Sequence, residues 1–149
     1  MNEQMSKTTE TMSLARVSRV SKGSYLILSD GTEKVARLKS SIFYSDSDQV
    51  EFPAVGDWVW VQKNPSGEDI ICGIKPRKSC FARVNPSYAA ISGRMSRQVI
   101  AANFDFVFLV ESLNQDFNLR RMERYLVTAW DSGATPVILL TKADLCADW

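Results

Sequence analysis

Residues 98–144 read QVIAANFDFVFLVESLNQDFNLRRMERYLVTAWDSGATPVILLTKAD. The run 98–110 carries Ile100, Phe104, Phe106, Val107, Phe108, Leu109 and Val110, too continuous for a strand with one wet face, and predicts a buried parallel strand. Over 116–132 the residues Leu119, Met122, Tyr125, Leu126 and Ala129 recur at helical spacing, with Asn118 placed to cap the start and Gly133 to close the end. Pro136 then opens a second apolar strand over 137–140. Strand, helix, strand is a right-handed crossover unit of an α/β sheet. Such a unit cannot bury both of its faces alone, and its roughly fifty residues fall short of a doubly wound domain. The expectation is that 98–149 is only the start of a domain and that the chain is an N-terminal fragment of a longer polypeptide.

Upstream, the periodicity changes. Between 14 and 76, short β-branched or aromatic runs alternate with turn residues, the mark of a small all-β unit. Strands are expected over 17–20, 25–28 and 34–38, joined by Lys22-Gly23 and Asp30-Gly31, then over 58–62 and 69–74, set off by Pro53-Ala54-Val55-Gly56-Asp57 and Asn64-Pro65-Ser66-Gly67. Five strands with one longer connection between the third and fourth suit a closed OB-type barrel. Residues 1–13 are polar and read as a disordered leader, and 77–97 as a basic linker. The fold class expected is therefore β plus α/β.

Composition removes several functions. The 149 residues contain no histidine, and the three cysteines, Cys72, Cys80 and Cys146, form no Cys-x-x-Cys pair, so neither a triad hydrolase nor a zinc site is supported. The most apolar windows are strand-sized, no secretion signal precedes them, and a cytoplasmic protein without a membrane span is expected. Net charge is +1, but 75–97 holds Lys75, Arg77, Lys78, Arg83, Arg94 and Arg97 and no acid, and 14–44 holds six basic residues against Asp30 and Glu33. A polyanion partner and ordinary solvated strands explain this equally well.

Directly after the second apolar strand stands Thr141-Lys142-Ala143-Asp144, at the carboxyl edge where such sheets bind ligands. A carboxylate at Asp144 accepts two hydrogen bonds from N1 and the exocyclic N2 of guanine, a pair adenine does not offer. The Lys142 stem can lie along the purine and the Thr141 hydroxyl can hold the loop. By composition alone such a tetrad turns up in roughly one chain in twenty of this length; its place after an apolar strand makes chance a weaker explanation.

This tetrad resembles the Asn-Lys-x-Asp guanine-recognition motif of GTPases, and the flanking text is similar to one family, the circularly permuted, ribosome-small-subunit-dependent GTPases. The similarity runs from about residue 16 to 145 through Pro53-Ala54-Val55-Gly56-Asp57, Ile74-Lys75-Pro76-Arg77-Lys78-Ser79, Gln98-Val99-Ile100-Ala101-Ala102-Asn103-Phe104-Asp105 and Arg124-Tyr125-Leu126-Val127. The resemblance implies an N-terminal OB domain, 14–76, that contacts ribosomal RNA, and a GTPase domain permuted so that base recognition precedes the phosphate loop. That order fits the absence of Gly-x-x-x-x-Gly-Lys-Ser/Thr here. It implies GTP as ligand, magnesium at its phosphates, and zinc only in a C-terminal domain outside these residues. It further implies a GTP hydrolase acting in late maturation of the small ribosomal subunit, monomeric when intact. No catalytic residue is assigned in this chain, and the 149 residues by themselves are expected not to turn over GTP. The departure is Thr141 in place of the usual Asn, which removes an amide donor.

For RNA the barrel offers Arg16, Arg19, Lys22, Arg37 and Lys39, with Tyr25, Phe43 and Tyr44 as stacking candidates, and the exit of its last strand offers Lys75, Arg77 and Lys78. Trp58 and Trp60 are expected to pack on the core or on the neighbouring domain. Asp105, Glu111 and Asp116 flank a strand and a helix start, where end-of-strand and capping roles are ordinary. A non-catalytic OB-fold RNA-binding module is the alternative reading. A dinucleotide oxidoreductase is set aside because no Gly-x-Gly-x-x-Gly follows the first apolar strand.

Overall fold

The computed structural model describes residues 12–40, 52–85 and 96–146. The chain divides into two compact units, Met1–Pro76 and Arg77–Trp149.

The first unit is a closed barrel of β1 (Met12–Ser21), β2 (Ser24–Ser29), β3 (Thr32–Leu38), β4 (Trp58–Gln62) and β5 (Asp69–Ile74) in the order β1-β2-β3-β5-β4. All neighbours are antiparallel except β3 and β5, which run parallel with Ala36 opposite Asp69. The hairpins follow from turn chemistry. Asp30 and Gly31 both take positive φ, 52° and 75°, the twist a two-residue loop needs to match right-handed strands. Alternation then sorts the side chains: Ala15, Val17, Tyr25, Ile27, Ala36, Val59, Val61 and Ile71 fill the interior, with Leu38 and Ile74 packed against them.

The stretch Pro53 to Asp57 is a tie rather than a plain turn. The Gly56 amide donates to Val17 O and the Val17 amide to Asp57 O, both 2.9 Å, where β1 bulges between Val17 and Arg19. Asp57, fully buried, accepts the Ala54 amide on its carboxylate at 2.7 Å.

Three expectations are corrected here. Met12 and Ser13, placed in the leader, begin β1. Tyr25 is in the core, 8% exposed, so it is no stacking surface, while Phe43, Tyr44 and residues 1–11 lie outside the described residues. Of the two placements expected for Trp58 and Trp60, the one on the core is corrected: both point away from it, because Val59 and Val61 between and after them occupy the interior.

Among its described residues the second unit holds two strand pairs, an α-helix and a 3-10 turn. β6 (Cys80–Asn85) is antiparallel to β7 (Ser96–Ala102), and β8 (Phe106–Ser112) is parallel to β9 (Thr135–Thr141), with α1 (Leu119–Asp131) between them in sequence. The stretch read as a linker thus contains β6 and the start of β7. The single strand expected over 98–110 is two strands, broken where Asn103 enters the left-handed region at φ 55°. β8 is not buried on both faces: Phe106, Phe108 and Val110 are exposed, and α1 packs with the β8–β9 pair.

α1 follows its sequence closely. The Asn118 side chain accepts the Arg121 amide at 3.0 Å, and Met122 and Ala129 are buried. At the far end Gly133 has φ 84°, and a Cβ there would meet Lys78 O at 3.2 Å.

The segment around Ser79 knits this unit. Its hydroxyl donates to Phe104 O at 2.6 Å and accepts the Phe104 amide at 2.9 Å, and its carbonyl accepts the Asn103 amide. The Lys78 amide donates to the Asn103 side chain, the Cys80 amide to Ser132 O, and the Thr135 amide to Asp105 O, each at 2.9 Å. The stretches 77–79 and 103–105 are therefore two halves of one hydrogen-bonded joint.

Candidate functional site

β9 ends at Thr141, opposite Ser112 on β8. The last rung continues one residue beyond the ladder, since the Leu113 amide donates to Thr141 O at 2.8 Å. The Thr141 hydroxyl donates to Glu111 O at 3.3 Å, so the side chain is spent on holding the loop to β8.

Lys142 then takes φ 57° and ψ 35°, a left-handed conformation costly for a residue with a Cβ and concentrated at ligand-binding turns. This reverses the chain into a 3-10 turn over Ala143–Leu145, closed by the Leu145 amide on Lys142 O at 3.0 Å and the Cys146 amide on Ala143 O at 3.1 Å. Lys142 and Asp144 are exposed, and neither side chain makes a hydrogen bond or ion pair to the described residues. The turn thus leaves the Asp144 carboxylate, with its two acceptor oxygens, and the Lys142 stem exposed, with Ala143 half-buried between them.

Behind the loop, Glu111 is 8% exposed and receives three donors on one oxygen: the Asn118 amide at 3.3 Å, Arg121 Nε at 3.0 Å and Arg121 Nη2. Arg121 Nη2 also donates to Asp116 O at 2.7 Å. The hydrogen bond to Glu111 raises the guanidinium above its ordinary pKa and keeps it charged. Glu111 therefore joins the start of α1, through its side chain, to Thr141, through its carbonyl. Sequence gave it an end-of-strand role; its pairing with Arg121 ten residues on carried no local signal.

The basic residues named for RNA fall on both units, most of them on the first. Arg16 lies on the barrel exterior with its guanidinium 5.7 Å from the Trp58 ring centroid. Arg19 follows the β1 bulge and Lys22 sits in the β1–β2 turn. Arg37, opposite Ile70, is ion-paired with Glu68, and the Lys39 amide donates to Ile71 O at 2.9 Å. The Lys75 amide donates to Trp58 O at 2.8 Å. Arg77 and Lys78 belong to the second unit, where the Lys78 ammonium donates to Asp105 at 2.6 Å.

Among the described residues, no three His, Cys, Asp or Glu side chains are grouped to hold a metal and no helix is long and apolar enough to cross a membrane. Cys72, Cys80 and Cys146 are half-buried, and none forms a disulfide among the described residues.

The profile of the family described as RsgA GTPase matches residues 74–149. The small ribosomal subunit biogenesis GTPase RsgA 1 of Listeria monocytogenes is 45% identical over 142 residues, covering 95% of this chain and 38% of that protein. A second relative, RsgA 2 of Lactiplantibacillus plantarum, is 44% identical over 124 residues, 83% of this chain and 34% of its own length. Two solved structures share the fold. YloQ, a circularly permuted GTPase, superposes with a TM-score of 0.64 at 24% identity over 97% of this chain and 46% of that one. YjeQ from Thermotoga maritima gives 0.67 at 17% over 93% and 44%. The chain spans less than half the length of each of these proteins. The fold this chain shares with the two solved structures is a five-stranded barrel followed by a βαβ unit.

Proposed function

The chain belongs to the RsgA GTPase family, and from that membership we propose that the whole protein hydrolyses GTP and acts with the small ribosomal subunit in its late maturation. The observation that carries this reading is the turn at Thr141 to Asp144, at the carboxyl end of a parallel strand, with Lys142 in the left-handed region.

In this reading Asp144 accepts hydrogen bonds from guanine N1 and N2, the Lys142 stem covers one face of the purine, and Thr141 fixes the turn to β8. The turn suits the base of GTP. For the phosphates and magnesium the chain has no counterpart: Gly-x-x-x-x-Gly-Lys-Ser/Thr does not occur in the 149 residues, and no step of hydrolysis is assigned to them. Magnesium, when bound, offsets the charge developing on the transferred phosphate.

The barrel over 14–76 is the part proposed to meet ribosomal RNA, with Arg16, Arg19, Lys22, Arg37, Lys39 and Lys75 as its basic contacts. Arg77 and Lys78 are the proposed contacts from the second unit. A monomeric, cytoplasmic whole protein with zinc in a further C-terminal domain completes the proposal.

The test is Asp144→Asn in the whole protein. Wild type is expected to bind GDP well over XDP, and the variant to reverse that order, because an amide donates where xanthine O2 accepts. Equal preference in both proteins would remove the guanine assignment and leave a non-catalytic RNA-binding module.

A further inference from the structure

The usual nucleic-acid face of an OB barrel is the outside of β2 and β3. Here that face carries Leu26 and Leu28 on β2 and Glu33, Val35 and Arg37 on β3, with Arg37 already paired to Glu68, and it offers no aromatic ring. The rings are one strand pair further round. Trp58 and Trp60 are 38% and 43% exposed on the outside of β4.

Strand register fixes their neighbours. Arg16 stands opposite Trp58 on one side and Leu28 on the other, and Leu14 stands opposite Trp60. On the far side of β4, Trp60 faces Gly73 of β5, whose missing side chain leaves the indole room, its Cδ1 lying 3.8 Å from where a Cβ would be. Lys75 follows β5, bonded through its amide to Trp58 O. Trp58 is thus flanked by Arg16 on one strand and Lys75 on the next.

β1, β2 and β4 contain Arg16 and Arg19 and no acidic residue, and the nearest acid along the row, Glu33 beyond Leu28, accepts the Ser18 hydroxyl at 3.1 Å. Residues two apart on a strand are separated by about 6.6 Å, twice the roughly 3.4 Å rise per stacked nucleotide. That spacing accommodates one planar base between the rings or a separate base on each.

We propose that the outer face of β4 and β1, built on Trp58, Trp60 and Arg16 with Lys75 at its edge, is a stacking platform for unpaired RNA bases. The inference rests on the reading of the barrel as the RNA-contacting part and assigns that contact to a surface and to a chemistry. Every base has a face to stack, so the platform selects single-stranded over duplex RNA without reading sequence.

The test uses the 149-residue chain and a twelve-nucleotide oligouridylate. Affinity is read from the fluorescence anisotropy of the 5′-labelled oligonucleotide, and binding is also expected to quench tryptophan emission in a background with Trp130→Phe and Trp149→Phe. Trp58→Ala with Trp60→Ala should weaken binding by about tenfold or more, whereas Trp58→Phe with Trp60→Phe should hold it within about threefold, separating lost stacking from lost folding. Arg16→Gln with Lys75→Gln should reduce the salt slope by about two. Unchanged affinity in the double alanine variant overturns the platform, as does equal competition by a duplex RNA of the same length. Self-association through this face that the oligonucleotide does not reverse, seen by sedimentation, overturns it too. Association of the whole protein with small subunits separates the two levels. If the alanine variant associates like wild type, the platform falls and the functional reading stands; if wild type fails to associate, both fall.

Discussion

The Tyr25 phenol lies in the barrel interior, and burial raises its pKa from the ordinary 10.0. A folded value above the unfolded one means that the native state holds the proton more tightly. The stability this contributes is complete below pH 10 and is lost as pH rises from there through the folded value. Thermal melts from pH 8 to 11 should therefore show a decline above pH 10 that Tyr25→Phe flattens; an identical decline in both proteins would place the alkaline sensitivity elsewhere. The same barrel shows what residue type alone leaves open. Trp58-Val59-Trp60-Val61 alternates large and medium apolar side chains, and hydrophobicity by itself favours the indoles inside. The structure puts the valines there, because five short strands enclose too narrow a space for two indoles, and parity is settled by register with Ala15 and Ile74 rather than by composition. The placement of Asp144 was legible for the opposite reason: an exposed turn directly after an apolar strand depends on residues written contiguously.

Elements bounded by Gly, Asp or Asn turns were readable almost to the residue. β4 and β5 run as their sequences predict, and α1 starts after its Asn118 cap. The failures are where the surrounding sequence hides the mark. Asn103 bends the chain between β7 and β8 within an apolar run, and the signal that it does so is its side chain holding the Lys78 amide, a partner twenty-five residues away. β6 was hidden by its charge, since Arg83 on an exposed strand reads like a linker residue until Gln98 is seen opposite it. The joint that defines these elements also sets a prediction. Gly133→Ala forces a Cβ onto a residue at φ 84° and against Lys78 O, and should cost about 1–2 kcal/mol by urea denaturation. A cost under about 0.3 kcal/mol would show that the corner relaxes freely.

At the scale of the molecule, the barrel's buried cluster among the described residues is drawn from Ala15 to Ile74, whereas the second unit exposes Phe106, Phe108 and Val110 along β8. The first unit is accordingly expected to fold by itself. Residues 12–76 alone should give cooperative unfolding and dispersed amide resonances, and a version ending before Asp69 should give neither; a folded shorter version would mean that β5 is dispensable to the core. The parallel seam between β3 and β5 has a further consequence, in time rather than in space. β1 and β3 are made early, yet their outer edges find partners only in β4 and β5, the last strands of the barrel to be synthesised. On a translating ribosome the first three strands would leave the exit tunnel as an open sheet with two bare edges, and the ring could shut only when Asp69 to Ile71 arrives beside Ala36 to Leu38. The pace of translation through that stretch sets how long the nascent chain stays adhesive.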